Sequence, residues 1–299
     1  MRIAVIGAGA MGSIYGAHLS EHDDVTLIDP SASVVESIEK NGIKLIEGGE
    51  EHVFHPSAVR SSAGMPPVDL VILFVKSLYS RAALDENRHL IGDNTVLMTL
   101  QNGAGHEALL SEYVPSSRII IGTTEDNGAV VSPGVVRRGG TGRTNIGGSA
   151  DAVKKVQEAL EKAGFDVIVH ENIQRLIWEK LSTNASLSVL TAILQCDMSF
   201  IASNEYSWNL CTALIKEIVT VADAMGLGLD ENEVTEKVRK NSLSNPGGYT
   251  SIYADIKNGR KTEVDTISGA VVREAEKHCI DVPSMKFAVN TIHALESRI

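Results

Sequence analysis

The chain has only three cysteines in 299 residues, Cys196, Cys211 and Cys279. They are far apart, odd in number and form no C-x-x-C pair. Neither a disulfide framework nor a cysteine metal site is expected; reduced, mostly buried thiols are. No apolar run reaches the ~20 residues that a helix needs to cross a bilayer. The first residues already read as a strand rather than a signal peptide, so a cytoplasmic location is the expectation. Basic residues are also short: 27 Lys and Arg against 38 Asp and Glu, for a formal net charge of −11. That sign argues against nucleic acid and, more weakly, against anionic membranes as partners. A local cluster can still oppose the global charge, so small anionic substrates stay open. Repeats and low-complexity segments are absent. What remains is ordinary for a globular protein: 43% hydrophobic and 22% charged residues, in a length that accommodates two domains.

The most informative stretch is the first 29 residues. A short apolar run, residues 1–6, ends at Gly7-Ala8-Gly9-Ala10-Met11-Gly12, which fits G-x-G-x-x-G. A helix-type segment follows through Leu19, then a second strand, residues 24–28, closing on Asp29. Strand before, helix after and acid at the end of the next strand together form the context that turns a weak motif into a dinucleotide-binding unit. Gly7 permits the tight turn, Gly9 lets backbone approach a pyrophosphate, and Gly12 allows close packing of helix on strand. The pyrophosphate then meets a helix N-terminus, whose unpaired N–H groups favour negative charge. A carboxylate at Asp29 accepts hydrogen bonds from ribose hydroxyls and repels a 2′-phosphate. Pro30-Ser31-Ala32-Ser33 supplies no Arg or Lys to hold such a phosphate, so the local chemistry favours NAD(H) over NADP(H). The simpler role for Asp29 is to cap the following helix.

The first half alternates strands and helices. Apolar runs at 68–75, 94–100 and 118–122 read as buried parallel strands. Residues 134–148 are expected to contain two short strands, 152–163 a helix, and 166–169 a last strand. Beyond about residue 170 the periodicity turns helical, at 173–194, 206–225, 231–241 and 264–278, with Asn245-Pro246-Gly247-Gly248 as a breaker. The fold class is therefore α/β: a Rossmann-type N-terminal domain with a mainly parallel sheet (1–169), followed by an all-helical domain (170–299).

Chemistry is expected at strand ends, since open α/β sheets bind ligands beyond the carboxyl ends of their strands. Lys76-Ser77 follows one strand, and Gln101-Asn102-Gly103-Ala104-Gly105 follows another. Asn102 can donate and accept to an amide or a substrate, or simply form an Asn-Gly turn; both readings stand. Lys76 on its own is more simply a solvated lysine. In the helical half, Lys180, Asn184 and Ser188 fall at i, i+4 and i+8 and share one helix face. Such a stripe either lines a pocket, where a desolvated lysine serves as a general acid, or lies in solvent. A third patch runs from Ser251 and Asp255 to Thr262-Glu263-Val264-Asp265, the last four of which also read as the start of a capped helix.

Taken together these residues resemble the ketopantoate reductase family over essentially the whole chain. The resemblance rests on the glycine motif, Val75-Lys76-Ser77, Gln101-Asn102-Gly103, Trp178-Glu179-Lys180-Leu181 with Asn184, Leu190-Thr191-Ala192-Ile193, and Ser251…Asp255…Thr262-Glu263-Val264-Asp265. The Lys-x-x-x-Asn element is shared with other β-hydroxyacid-type dehydrogenases; its combination with the Ser251-to-Glu263 spacing is the more specific part. The resemblance implies reduction of 2-dehydropantoate to (R)-pantoate, towards coenzyme A, with a nicotinamide dinucleotide. In it Lys180 is the general acid, Glu263 orients Lys180 and contacts the substrate hydroxyl, and Asn184 and Ser251 hold substrate hydroxyl and carboxylate groups. Asn102 and Lys76 lie near the nicotinamide and the substrate. The helical domain serves the substrate and dimerisation, and a homodimer is an open expectation. Two departures stand out. The family often has a second Asn where Ser188 stands, and many members prefer NADP(H) with a basic residue where Asp29 stands. Both fit a branch that acts on D-mandelate-type 2-hydroxy acids with NAD(H), which is the rival reading. A non-catalytic dinucleotide sensor is a weaker rival, since the catalytic positions are filled.

Overall fold

The computed structural model describes residues 1–299 and divides into two compact units, Met1–Gln101 with His106–Ile173, and Asn102–Gly105 with Gln174–Ile299. The first runs β1 (Arg2–Ile6), α1 (Ala10–Leu19), β2 (Asp24–Ile28), α2 (Ala32–Asn41), β3 (Ile43–Glu47), β4 (Glu50–Phe54), β5 (Ser57–Val59), β6 (Leu70–Leu73), α3 (Ser80–Glu86) and β7 (Val96–Thr99). It continues through α4 (His106–Leu110), β8 (Ile119–Thr124), β9 (Asn127–Ser132), β10 (Val135–Gly140), β11 (Arg143–Gly148), α5 (Ala150–Lys162) and β12 (Asp166–Val169). The second holds α6 (Ile173–Leu194), α7 (Met198–Ser203), α8 (Glu205–Ala224), α9 (Glu231–Leu243), α10 (Ser251–Lys257), α11 (Ser268–Lys277) and α12 (Pro283–Glu296), with no strand.

Eight strands form the main sheet in the order β12-β11-β8-β7-β6-β1-β2-β5. All its ladders are parallel except β8 with β11. The central strands β6 and β7 are buried along their whole length, as strands covered on both faces must be. The apolar run at 68–75 supplies only four strand residues, Leu70–Leu73. Its start leaves the ladder, the Val68 N–H donating to Leu90 O at 3.0 Å, while at its end the Phe74 N–H closes the ladder with β1 on Ile6 O at 2.8 Å. Strand order reverses between β1 and β6, a topological switch point of the kind where ligands of such sheets bind. Helix α1 packs closely because its sheet-facing side is small; a Cβ on Gly16 would lie 3.2 Å from the Leu27 side chain. Tyr15 fastens the helix further, its ring stacked on Phe165 at 4.2 Å and its hydroxyl 2.6 Å from Thr144 Oγ1. Burial pushes the Tyr15 pKa up to about 12, so the phenol stays neutral.

A second sheet, β4-β3-β10-β9, has no counterpart in the expectations above. Of the two strands expected within 134–148, one (β10) belongs to this sheet and the other (β11) to the main one. Its β3–β4 hairpin turns on Gly48 and Gly49, both at positive φ (59° and 89°), the backbone a tight two-residue hairpin needs. A buried guanidinium ties the sheet down: Arg138 pairs with Asp126 at 2.7 Å and with Glu47 at 3.1 Å.

In the second unit α6 occupies the expected residues, with Trp178 wholly buried, and ends where Gln195 adopts φ 52°. Helices α7, α8, α9 and α10 begin at Asp197, Asn204, Asp230 and Thr250, whose side-chain oxygens accept backbone N–H bonds, each cap contributing about 1 kcal/mol. Helix α12 is capped from another helix: the N–H groups of Ser284 and Met285 donate to Glu217 at 2.9 and 2.8 Å. The helix expected from 264 starts only at Ser268, so Thr262-Glu263-Val264-Asp265 is a turn and not a helix start. The Thr262 oxygen still accepts from the Val264 N–H at 3.1 Å while its hydroxyl donates to Glu296, 2.7 Å away on α12, so the turn is held against another helix before the regular helix begins.

Candidate active site

In the first unit the glycine motif closes β1 and opens α1. Gly7 has φ +100°, and a Cβ there would lie 2.9 Å from the backbone at Phe74–Val75, so both conformation and space demand glycine. A Cβ on Gly12 would sit 1.8 Å from Gly7 O, which forbids any side chain. Gly9 is different: its absent Cβ would meet nothing within 4 Å. The fold itself does not require glycine there, whereas a phosphate resting on that backbone does. Gly9 is also the N-cap of α1; no side chain caps the helix and no acid occupies its first turn, so its leading N–H groups face the chemistry a pyrophosphate supplies. Ala8 is buried, and Ala10 and Met11 are half-buried in that first turn.

Asp29 lies at the end of β2, and its two oxygens accept from the Ala8 N–H and the Ser31 N–H, each at 2.9 Å. The carboxylate thus braces the glycine loop, and each oxygen retains a further lone pair that could accept from a hydroxyl group. The bond to Ser31, just before α2, also accommodates the simpler capping role. Sequence reasoning missed Arg60. Pairing of β5 with β2 brings it beside Asp29, and its Nε approaches Pro30 O at 3.4 Å. It lies 31 positions downstream of Asp29, so only the strand pairing reveals it. Lys76 stands half-buried after β6. Gln101 was expected only as part of a motif; its amide donates to Val75 O at 2.5 Å and to Ser80 Oγ at 2.9 Å, stapling the end of β7 to the residue before Lys76.

The second unit collects the remaining candidates. Lys180, Asn184 and Ser188 lie on one face of α6, the first two half-buried and Ser188 4% exposed. Apolar neighbours Ile177, Leu181, Ala185 and Leu187 are buried, so the stripe runs between buried positions of the helix. Two contacts bind the other candidates to this helix. Thr191 Oγ1 meets Thr250 Oγ1 at 2.8 Å, fixing the start of α10 where Ser251 stands, and the Ser268 hydroxyl donates to Ala185 O at 3.1 Å, fixing the turn that carries Glu263. Asp255, buried one turn into α10, pairs with Arg260 at 2.9 Å and closes that helix.

Asn102 belongs to this unit too, because residues 102–105 group with it and not with the strand they follow. The Ala104 N–H donates to Thr266 O at 2.8 Å. Gly103 has φ +101°, and a Cβ there would lie 2.2 Å from that same oxygen, so the loop seats Asn102 against the turn of Glu263. The Asn-Gly turn and the functional role are therefore compatible. Also missed were Glu296 and His293 on the last helix, which hold this turn from behind; an acid in a helical pattern carries no local signal of burial.

A doubly wound, mainly parallel sheet with a glycine turn at its switch point, followed along the chain by a helical unit, is the fold of the two-unit dinucleotide-dependent oxidoreductases. Family comparison narrows the class. The model for ketopantoate reductase PanE/ApbA matches residues 3–151, and its C-terminal counterpart matches residues 172–296. The chain belongs to the ketopantoate reductase PanE/ApbA family. It is 30% identical over 303 aligned positions to the 2-dehydropantoate 2-reductase of Streptococcus pyogenes, covering 99% of this chain and 98% of that one. With the enzyme of the same name from Lactococcus lactis it shares 32% identity over 306 positions, 99% of this chain and 98% of the relative. It is also similar to a ternary structure of D-mandelate dehydrogenase with NADH and anilino(oxo)acetate, at TM-score 0.90 and 31% identity over 100% of this chain and 99% of that one. No helix is long and apolar enough to cross a membrane.

Proposed function

We propose that the protein reduces 2-dehydropantoate to (R)-pantoate with a nicotinamide dinucleotide. The observation that carries this reading is the polar face of α6, Lys180–Asn184–Ser188, set among buried apolar residues and flanked by the turn of Glu263 and the start of α10 at Ser251. When bound, the dinucleotide supplies the hydride; the protein supplies geometry and electrostatics. Gly7, Ala8, Gly9, Ala10, Met11 and Gly12 cradle the pyrophosphate, Asp29 takes the adenosine ribose, and Lys76 and Asn102 border the nicotinamide end. The Lys180 ammonium donates to the ketone oxygen. As that oxygen gains charge the contact strengthens, an effect of the size of one oxyanion-hole donor, about 3–4 kcal/mol. Glu263 orients Lys180 and accepts from the substrate hydroxyl. Asn184 and Ser251 hold the hydroxyl and carboxylate, and Ser188 shapes the pocket beside them. NAD(H) is the preferred form because Asp29 disfavours a 2′-phosphate. The cytoplasm, where this dinucleotide chemistry is expected to run, is the proposed location.

One observation favours a second reading. Ser188, shorter than asparagine, leaves room for a bulkier keto acid, and the relation to D-mandelate dehydrogenase extends over the whole chain. A panel of keto acids separates the two. A kcat/KM for 2-dehydropantoate above that for phenylglyoxylate supports the proposal; the reverse order transfers the protein to a mandelate-type dehydrogenase.

A further inference from the structure

The turn that carries Glu263 is held by groups with no direct part in the reaction. The Thr262 N–H and the Thr262 hydroxyl both donate to Glu296 Oε1, each at 2.7 Å. On the other side of Glu263, the Val264 N–H donates to Thr262 Oγ1 at 3.1 Å, so the carboxylate holds Thr262 directly and Val264 through the Thr262 hydroxyl. The second oxygen of Glu296 meets His293 Nδ1 at 3.1 Å, and His293 Nε2 meets Asp265 Oδ1 at 3.1 Å. Residues 262, 264 and 265 are thus tied, directly or in relay, to two side chains one turn apart on α12. That helix is itself a firm support: Met285 and Ile292 are fully buried, and its first N–H groups are capped by Glu217. Glu296 is 6% exposed, an uncommon place for a carboxylate unless its hydrogen bonds are fully used. Downstream, the same turn receives Ala104 through Thr266 O, so its position also sets the seat of Asn102.

We infer that Glu296 and His293 are positioning residues for the reaction, acting through Glu263 and the seat of Asn102. This rests on the proposed role of Glu263. A displacement of about 1 Å in a catalytic group costs on the order of a hundredfold in rate, which sets the scale of the effect.

The test is steady-state kinetics of Glu296→Ala, Glu296→Gln, Glu263→Gln and the double variant Glu296→Ala/Glu263→Gln, with NADH and 2-dehydropantoate and with folding followed by circular dichroism. Glu296→Ala is expected to lower kcat about 10–100-fold with KM for NADH unchanged. Glu296→Gln, whose amide oxygen still accepts from Thr262, is expected to restore kcat to within about fivefold of the parent. In the Glu263→Gln background the added Glu296→Ala change is expected to cost no more than about threefold, because the main route passes through a group already altered and only the part carried by the seat of Asn102 remains. A folded Glu296→Ala protein with unchanged kcat, or losses that multiply in the double variant, overturns the inference. Full activity of Glu263→Gln overturns the proposed role of Glu263 instead, and this inference with it. Should Glu296→Ala fail to fold, Thr262→Val, which removes one of the two bonds to Glu296, takes its place under the same criteria.

Discussion

Asp29→Asn is the substitution that most sharply separates a ribose-reading carboxylate from a capping one. The carboxylate is half-buried, and each oxygen already holds one backbone N–H at 2.9 Å. Asparagine keeps one acceptor and turns an NH2 towards the other N–H, which costs about 1–2 kcal/mol in the loop and lowers kcat/KM for both dinucleotides. Cofactor choice moves on top of that common loss. A 2′-phosphate about 5 Å from a carboxylate is repelled by about 3 kcal/mol per unit charge at an effective dielectric of ~20. Solvent and salt at this rim reduce the repulsion to about 1–2 kcal/mol. Its removal therefore raises the NADPH/NADH ratio of kcat/KM by about 5–30-fold, since 1.4 kcal/mol is about tenfold. Arg60 then stands beside the site without the opposing carboxylate, and adding Arg60→Ala is expected to reverse part of the gain. The assay is initial-rate oxidation of each dinucleotide at a saturating keto acid concentration. Equal losses for both cofactors, with the ratio unchanged, would refute the ribose-reading role and leave Asp29 as a loop brace alone.

Three further outcomes are expected. Lys180→Met lowers kcat by about 10²–10³-fold while the dissociation constant for NADH, followed by fluorescence titration, stays within error; unaltered turnover removes Lys180 from proton donation. Gly12→Ala abolishes NADH binding, because its Cβ would lie 1.8 Å from Gly7 O and the loop must open to admit it; normal titration contradicts the packing argument. The third concerns Glu296. Burial pushes its carboxyl pKa up, but hydrogen bonds from the Thr262 hydroxyl and N–H, and the contact with His293, outweigh burial and hold it below the ordinary value. A depressed carboxyl pKa stabilises the fold above the unfolded pKa of about 4.3, and that stability is lost as pH falls through the folded value. The gap in Tm between the parent and Glu296→Gln is therefore expected to be full near neutrality and to close below the ordinary carboxylate range; a gap independent of pH contradicts the assignment.

Local patterns were legible wherever a residue's neighbours in sequence were also its neighbours in space. The G-x-G-x-x-G turn, the buried strands around Leu70, Val96 and Ile119, the last strand at Asp166–Val169 and the long helix Ile173–Leu194 are of this kind. So is the shared face of Lys180, Asn184 and Ser188, which needs only helical periodicity. The remainder depended on long-range partners. The second sheet forms because β3 pairs with β10, far apart in sequence, and no local signal announces that pairing. The turn at 262–267 reads as a capped helix because Thr262 does accept the Val264 N–H; the tie of the same residue to Glu296, 34 residues away, is what the local pattern does not show. Arg60 reaches the carbonyl of Pro30, next to Asp29, only through the ladder of β2 with β5, and Gln101 reaches Val75 only across neighbouring strands. Sequence periodicity gives the stripe on α6, and tertiary contacts through Thr250 and Ser268 turn it into a candidate site.

The most direct measurement is a hydride-transfer experiment: the purified protein, NADH deuterated at the nicotinamide C4, and 2-dehydropantoate, with the product identified by NMR and chiral chromatography. The account predicts (R)-pantoate formed in equal amount to NADH consumed, with deuterium at its C2 when the transferred face is labelled. Absence of pantoate, or turnover of phenylglyoxylate in its place, would contradict it.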